Sequence, residues 1–163
     1  MNSVQLREAD WRDLARMAAL EKKIFPDDAW SEASLWAELA LRPRRAYLVA
    51  EAGADGQDGE TLLGYAGLDL AGDLADVMTV AVAPRARGRG VGATMLTGLH
   101  SLARDAGARS VMLEVRADND SALRLYRTRG YGVVRTRPGY YADPAGGPAQ
   151  DALIMRKELD EDG

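Results

Sequence analysis

The sequence predicts an α/β domain built on a mixed central sheet. Three observations predict it. Strand and helix patterns follow one another in the order βααβββαβαββ. A strongly β segment, Asp76–Ala83, runs through a glycine-rich turn into a long helix. No internal repeat and no second-domain boundary interrupts the 163 residues, a length that fits one domain able to bury its own core. The predicted domain spans 1–157 and leaves 158–163 as an acidic, frayed tail.

Val4–Arg7 is a short strand. Asp10 starts a helix that runs to about Ile24, with Leu14, Met17, Ala18 and Leu20 at helical spacing. Phe25-Pro26 ends it. Ser31 caps a second helix whose body is Ser34–Leu41. Ala46–Ala52 and Thr61–Leu70 are strands joined as a hairpin by the Gly- and Asp-rich loop Gly53–Glu60. Gly72-Asp73 turns the chain into Asp76–Ala83, where Val77, Thr79, Val80 and Val82 favour a strand. The long helix ends near Ala106, with Leu96, Leu99, Leu102 and Ala103 on its apolar face and Gly107 as its stop. Ser110–Arg116 is a strand, Asp118–Arg129 a helix and Gly130–Arg135 a strand. Tyr140–Ala149 is a loop, and Asp151–Lys157 is the last strand. Trp11 and Trp36 are expected in the core, and His100 is expected to be structural or exposed.

Composition narrows the function. With 47% hydrophobic and 28% charged residues, the chain has a soluble globular composition. No apolar run is long enough to cross a membrane, and Met1–Asp10 lacks the pattern of an export signal. The cytoplasm is therefore the expected location, with no membrane partner. There is no cysteine and one histidine. Disulfides, thiolate metal sites and an acyl-cysteine intermediate are excluded, and no metal is expected. No Gly-x-Ser-x-Gly turn is present to pair a serine with His100. Any acyl chemistry here must be direct transfer between two bound substrates. The net charge is −4, yet Arg85, Arg87 and Arg89 crowd one short stretch, followed by Arg116, Arg124, Arg127, Arg129, Arg135 and Arg137. A local basic cluster on an acidic chain suits a phosphorylated small ligand better than a nucleic acid.

The glycine-rich turn is Arg87-Gly88-Arg89-Gly90-Val91-Gly92, directly after a strand and at the start of a helix. The first N–H groups of a helix lack internal partners and carry partial positive charge. Glycines admit a diphosphate close to the backbone, and arginines add charge for its oxygens. The physical reading is a pyrophosphate cradle. A P-loop would need Lys-Ser or Lys-Thr after its last glycine, whereas Gly92 precedes Ala93-Thr94. A dinucleotide fingerprint is satisfied by Gly88, Gly90 and Ala93 with Glu114 beyond, but Pro84–Arg87 separates strand from glycine. A solvated surface turn is the third alternative, at odds with so many glycines where a helix begins.

Val80-Ala81-Val82-Ala83-Pro84 followed by Arg87–Gly92 resembles the acetyl-CoA motif of the GNAT superfamily, Q/R-x-x-G-x-G/A. The resemblance implies a single GNAT-type domain with a mostly antiparallel sheet flanked by helices and two splayed central strands. It implies acetyl-CoA as donor, with Val80, Ala81 and Val82 along the pantetheine arm. Arg87, Gly88, Arg89, Gly90, Val91 and Gly92 would hold the pyrophosphate.

A second group follows. Met112, Glu114 and Arg116 share one face of their strand, while Asn119 and Tyr126, seven apart, share one face of the next helix. Leu113-Glu114-Val115-Arg116, Asn119, Ala122, Leu125-Tyr126 and Gly130-Tyr131 resemble a narrower group, the ribosomal-protein-alanine N-acetyltransferases, often called RimI. Phe25-Pro26 with Trp30-Ser31-Glu32 resembles that group's substrate loop, with Asp27-Asp28 as two extra residues. Gly139-Tyr140-Tyr141 with Asp151–Met155 resembles its peptide-binding segment. The resemblance implies Glu114 as general base, Tyr126 as general acid and a CoA contact, and Asn119 as a further CoA contact. Phe25, Trp30, Tyr140 and Tyr141 would meet the acceptor, a protein N-terminus, most specifically the alanine end of small-subunit ribosomal protein eighteen. A monomer is expected. A GNAT acting on a small amine or a lysine side chain, or a CoA-binding module without turnover, are the alternatives. Glu114 could instead serve an ion pair with Arg116 or a neighbouring strand, Tyr126 core packing, and Asn119 a helix cap.

Overall fold

A computed structural model describes residues 3–53 and 62–160. Seven strands form one sheet, β1 (Val4–Glu8), β2 (Arg45–Ala52), β3 (Leu62–Ala71), β4 (Leu74–Val82), β5 (Ser110–Arg116), β6 (Gly132–Tyr141) and β7 (Gln150–Glu158), in the order β1-β2-β3-β4-β5-β7-β6. Every neighbouring pair is antiparallel except β4–β5. Four helices cover it: α1 (Leu14–Ile24), α2 (Glu32–Ala40), α3 (Val91–Asp105) and α4 (Asp120–Thr128). The predicted α/β class and element order are those observed. Most of the predicted loop Gly53–Glu60, and Thr61 at the predicted start of β3, lie outside the described residues.

The two faces of the sheet carry different helices. Gly64 lies under Met95 of α3, and Gly98 of α3 sits against Leu6 and Leu48, so close approach of this helix depends on absent side chains. Gly64, Ala66, Leu68 and Leu70 therefore face α3, together with their β4 partners Val82, Val80, Val77 and Ala75. Met95, Leu96, Leu99 and Ala103 bury the helix there. The opposite face carries Tyr47, Asp69 and Asp76 beneath α1 and α2. Tyr47 donates its hydroxyl to Glu38 of α2 at 3.0 Å. Arg7, Asp13, Arg16 and Glu51 tie β1, β2 and the start of α1 into one ion-pair network around the buried Asp13.

Several expectations are corrected. Trp11 and Trp36 are 58% and 47% exposed and are not core residues. Trp11 lies in the 3-10 turn ahead of α1 under the Arg12 guanidinium, and Trp36 lies off the Leu35–Leu39 stripe that buries α2. β6 continues to Tyr141 instead of stopping at Arg135, so Tyr140 and Tyr141 stand on a strand. Pro138 is tolerated because β6 is an edge strand, and the Gly139 N–H is taken by Asp151 at 2.9 Å. β7 runs through Glu158 and Leu159 is buried, its N–H on the Arg109 carbonyl, so the order extends two residues past Lys157, the predicted end of the last strand.

His100 is buried, as a structural residue, with Nε2 2.7 Å from the Tyr131 hydroxyl. Burial first, then Lys157, Arg104 and Arg129, hold its pKa down to about 4. The unfolded chain binds a proton near pH 6.5 that the folded chain refuses, so stability falls as pH drops from about 6.5 towards 4. Urea unfolding across that window will show the slope in the wild type and a flatter one in His100→Gln, which keeps a partner for Tyr131.

Candidate active site

The site is built where β4 and β5 part. Their parallel ladder has three rungs, Leu74–Ser110, Ala75–Val111 and Asp76–Met112, and none beyond. Val77–Val82 and Leu113–Arg116 therefore border a gap in the middle of the sheet. β4 also carries one extra residue against β3 near Met78, which re-aims the strand as it leaves β5.

On the α3 face the gap opens into a cleft of about 520 Å³. Val80 and Val82 form one wall, Arg87, Gly88, Gly90, Val91 and Gly92 the end, and Asn119, Ala122 and Leu125 the other wall. Gly88 and Gly90 both have φ +77, and an added Cβ on either would meet open space. The glycines serve the backbone conformation and leave the cradle open. Gly90 caps α3, so the first N–H groups of that helix point to the cleft's end with no side-chain cap on them. These features fit a diphosphate followed by a slender chain lying along β4. Gly90→Val is expected to strain the turn by about 1–2 kcal/mol and weaken CoA binding about tenfold. Gly107→Val, at another positive-φ position away from the cleft, should cost stability while sparing CoA. Calorimetric titration with CoA checks both.

The structure distributes the predicted donor residues unevenly. Ala81 is buried on the opposite face, paired with Tyr65, so its side chain does not reach the cleft. Arg87 and Arg89 are exposed at the turn, whereas Arg85 donates to the Leu62 carbonyl at 2.9 Å and belongs to the scaffold. Asn119 lines the cleft and also caps α4, its Oδ1 accepting from Ala122 N–H at 3.2 Å. Phe25, predicted to meet the acceptor, lines the donor cleft beside Ile24, a residue no motif had marked. Trp30 is half-buried, with its N–H 3.5 Å from the buried Glu21 carboxylate.

Tyr126 is buried in α4, its ring 5.8 Å from Tyr131 and beyond it His100 of α3. That places it on the donor side of the sheet. Its hydroxyl makes no hydrogen bond among the described residues, and burial pushes its pKa up. It is a protonated phenol at neutral pH.

Glu114 lies on the other face. Leu113 and Val115 are buried towards α3 with Val111, so Glu114 projects with Met112 and Asp76. It does not pair with Arg116, whose guanidinium is taken by Asp118 at 3.0 Å. Glu114 accepts from the Tyr141 hydroxyl at 2.7 Å and has Arg137 at 4.0 Å. Tyr140 is 53% exposed, its ring edge-on to Tyr141 and under Arg137. Asp76 stands at the last rung, its carboxyl raised by burial and by Asp69 across the ladder.

A profile of the acetyltransferase (GNAT) family matches residues 7–131. The chain belongs to the GNAT acetyltransferase family. It is 38% identical over 151 residues to the N-alpha-acetyltransferase RimI of Mycobacterium tuberculosis, covering 90% of this chain and 87% of that one. A Bacillus subtilis protein assigned as a ribosomal protein bS18-alanine N-acetyltransferase is 31% identical over 96% of both chains. The chain spans 38% of the length of a Mycobacterium leprae relative that is 39% identical over 151 residues. The fold matches a ribosomal-protein-alanine N-acetyltransferase of Escherichia coli with a TM-score of 0.82 at 23% identity, covering 99% of this chain and 97% of that one. As a GNAT enzyme the chain is an acetyl-CoA-dependent N-acetyltransferase, and the α3-face cleft is where its residues suit the donor.

Proposed function

We propose that this GNAT enzyme acetylates the N-terminal α-amine of a protein in the cytoplasm, with the alanine end of small-subunit ribosomal protein eighteen as the target. One observation carries the reading: the donor cleft and Glu114 open on opposite faces of the same gap between β4 and β5. An extended peptide end can then approach from the Glu114 side while the thioester lies on the other. The ribosomal target is supported by the Bacillus subtilis relative at 31% identity. An α-amine also suits the chemistry, since its pKa of about 7.7–8.0 lets a carboxylate free the lone pair more easily than on lysine, at about 10.4.

Bound acetyl-CoA supplies the acetyl group as a thioester. The amine nitrogen bonds to the carbonyl carbon, and its proton passes to Glu114, directly or through a water. A strand N–H near Val80 polarises the carbonyl oxygen. The carbon–sulfur bond breaks, and Tyr126 gives its proton to the departing thiolate. Solvent exchange restores both side chains.

Incubating the protein with acetyl-CoA and a peptide beginning Ala-Arg, the same peptide blocked at its N-terminus, and free lysine or polyamines tests the acceptor. The expected product is the N-α-acetylated peptide alone. Lysine acetylation of the blocked peptide, with the free terminus untouched, overturns the reading.

A further inference from the structure

We propose that Tyr141 is a positioning residue for Glu114: its hydroxyl, reaching from edge strand β6, holds the carboxylate in the orientation in which it takes the acceptor's proton. The inference rests on the reading of Glu114 as the base and adds to Tyr141 a role distinct from contact with the peptide. Glu114 is about one-third exposed and projects from a strand, so nothing in its own packing fixes its terminal torsion. The 2.7 Å bond to Oε1 supplies that constraint, and Oε2, with Arg137 no closer than 4.0 Å, keeps lone-pair capacity for the amine or its water.

Tyr141 is itself held. Its ring carries the Arg116 guanidinium at 5.4 Å on one side and Tyr140 edge-on at 5.2 Å. Arg116 is in turn fixed by Asp118. Burial, and then the Glu114 carboxylate, push the Tyr141 phenol well above its ordinary range, so it remains a donor throughout the working pH range. The register that puts Tyr141 opposite Gln150 lies beyond the irregularity at Pro138-Gly139. A regular ladder would put Tyr141 opposite Pro148, on the same face but two residues further along, so the irregularity sets how near Tyr141 stands to Glu114.

The charged groups on this face in the strands around Glu114 include Arg116 on β5, Asp76 on β4, Arg156 and Glu158 on β7, and Arg135 and Arg137 on β6, with Asp69 and Arg45 further across the sheet. Arg156 is paired with Glu158. None of these contacts is removed by Tyr141→Phe. A hydrogen bond that orients the carboxylate acts on the transfer step, so its loss should lower kcat and leave KM for the peptide little changed.

The experiment is a double-mutant cycle on acetylation of the Ala-Arg peptide, with kcat and KM measured across pH for wild type, Tyr141→Phe, Glu114→Gln and the double variant. Tyr141→Phe is expected to lower kcat about tenfold, leave peptide KM and CoA affinity within about twofold, and cost nothing further in the Glu114→Gln background. A rise in KM alone, with effects that multiply, would overturn the positioning role and leave only a peptide contact. If Glu114→Gln itself leaves turnover and the profile unchanged, the assignment of the base fails instead, and the two failures are distinguishable.

Discussion

Glu114→Gln lowers kcat for the Ala-Arg peptide by about 10²–10³-fold near neutral pH and moves the acidic limb of the pH–rate profile to the amine's own pKa of about 7.7–8.0, while CoA binding holds within about twofold. The magnitude is that of a single general base whose substrate is already partly deprotonated. At the pH of the assay about a tenth of an α-amine is free, so the enzyme without its base can still capture the neutral fraction. The penalty should therefore shrink as pH rises towards 9. A lysine acceptor would show no such recovery until far higher pH. CoA affinity should not follow, because Glu114 faces away from the α3 side on which Val80, Val82 and the glycine turn form the donor cleft. Gln preserves the shape and can still accept from Tyr141, so a fold defect is not expected. Stopped assays across pH 6–9, paired with calorimetric CoA titration, separate the outcomes. An unaltered pH–rate profile in Glu114→Gln removes the assignment.

The parts of this site that were legible in the sequence are those written in local patterns. Arg87–Gly92 names a phosphate cradle because positive-φ turns need glycine, and Gly88 and Gly90 adopt that conformation. The period of two in Ser110–Arg116 puts Glu114 on the face away from Leu113 and Val115, where the structure places it. The parts that were not legible depend on distant pairing. Tyr141 reaches Glu114 across 27 positions of sequence, through a strand that continues past Arg135 and a Pro-Gly step. Edge location licenses that proline, and nothing local announces an edge. Trp11 and Trp36 look like core by hydrophobicity, but the core stripes of their segments are filled by Leu14, Met17, Leu35 and Leu39. Asn119 unites two readings that seemed exclusive, since one side chain caps α4 and lines the donor cleft.

Tyr126→Phe tests the other half of the proton inventory, and its cleanest feature is that activity and stability should move independently. Tyr126 is buried as a residue, and its hydroxyl makes no hydrogen bond among the described residues. Removing a hydroxyl that makes no hydrogen bond within the protein costs the fold little. The ring remains, so its contact with Tyr131 and the packing of α4 persist. Thermal stability is therefore expected to hold. Turnover is expected to fall by about 10²-fold, because the thiolate then leaves without a positioned proton. The lower end of the general-acid range applies, since a thiolate leaves more readily than an alkoxide or an amide. Burial raises the phenol's pKa, so the proton is present in the wild type at every pH where the amine is reactive. A single-turnover measurement at saturating acetyl-CoA isolates the transfer step from CoA release. Unchanged turnover with unchanged stability would return Tyr126 to the core as a packing residue, and a joint loss of both would mean that its hydroxyl has a structural partner in solution.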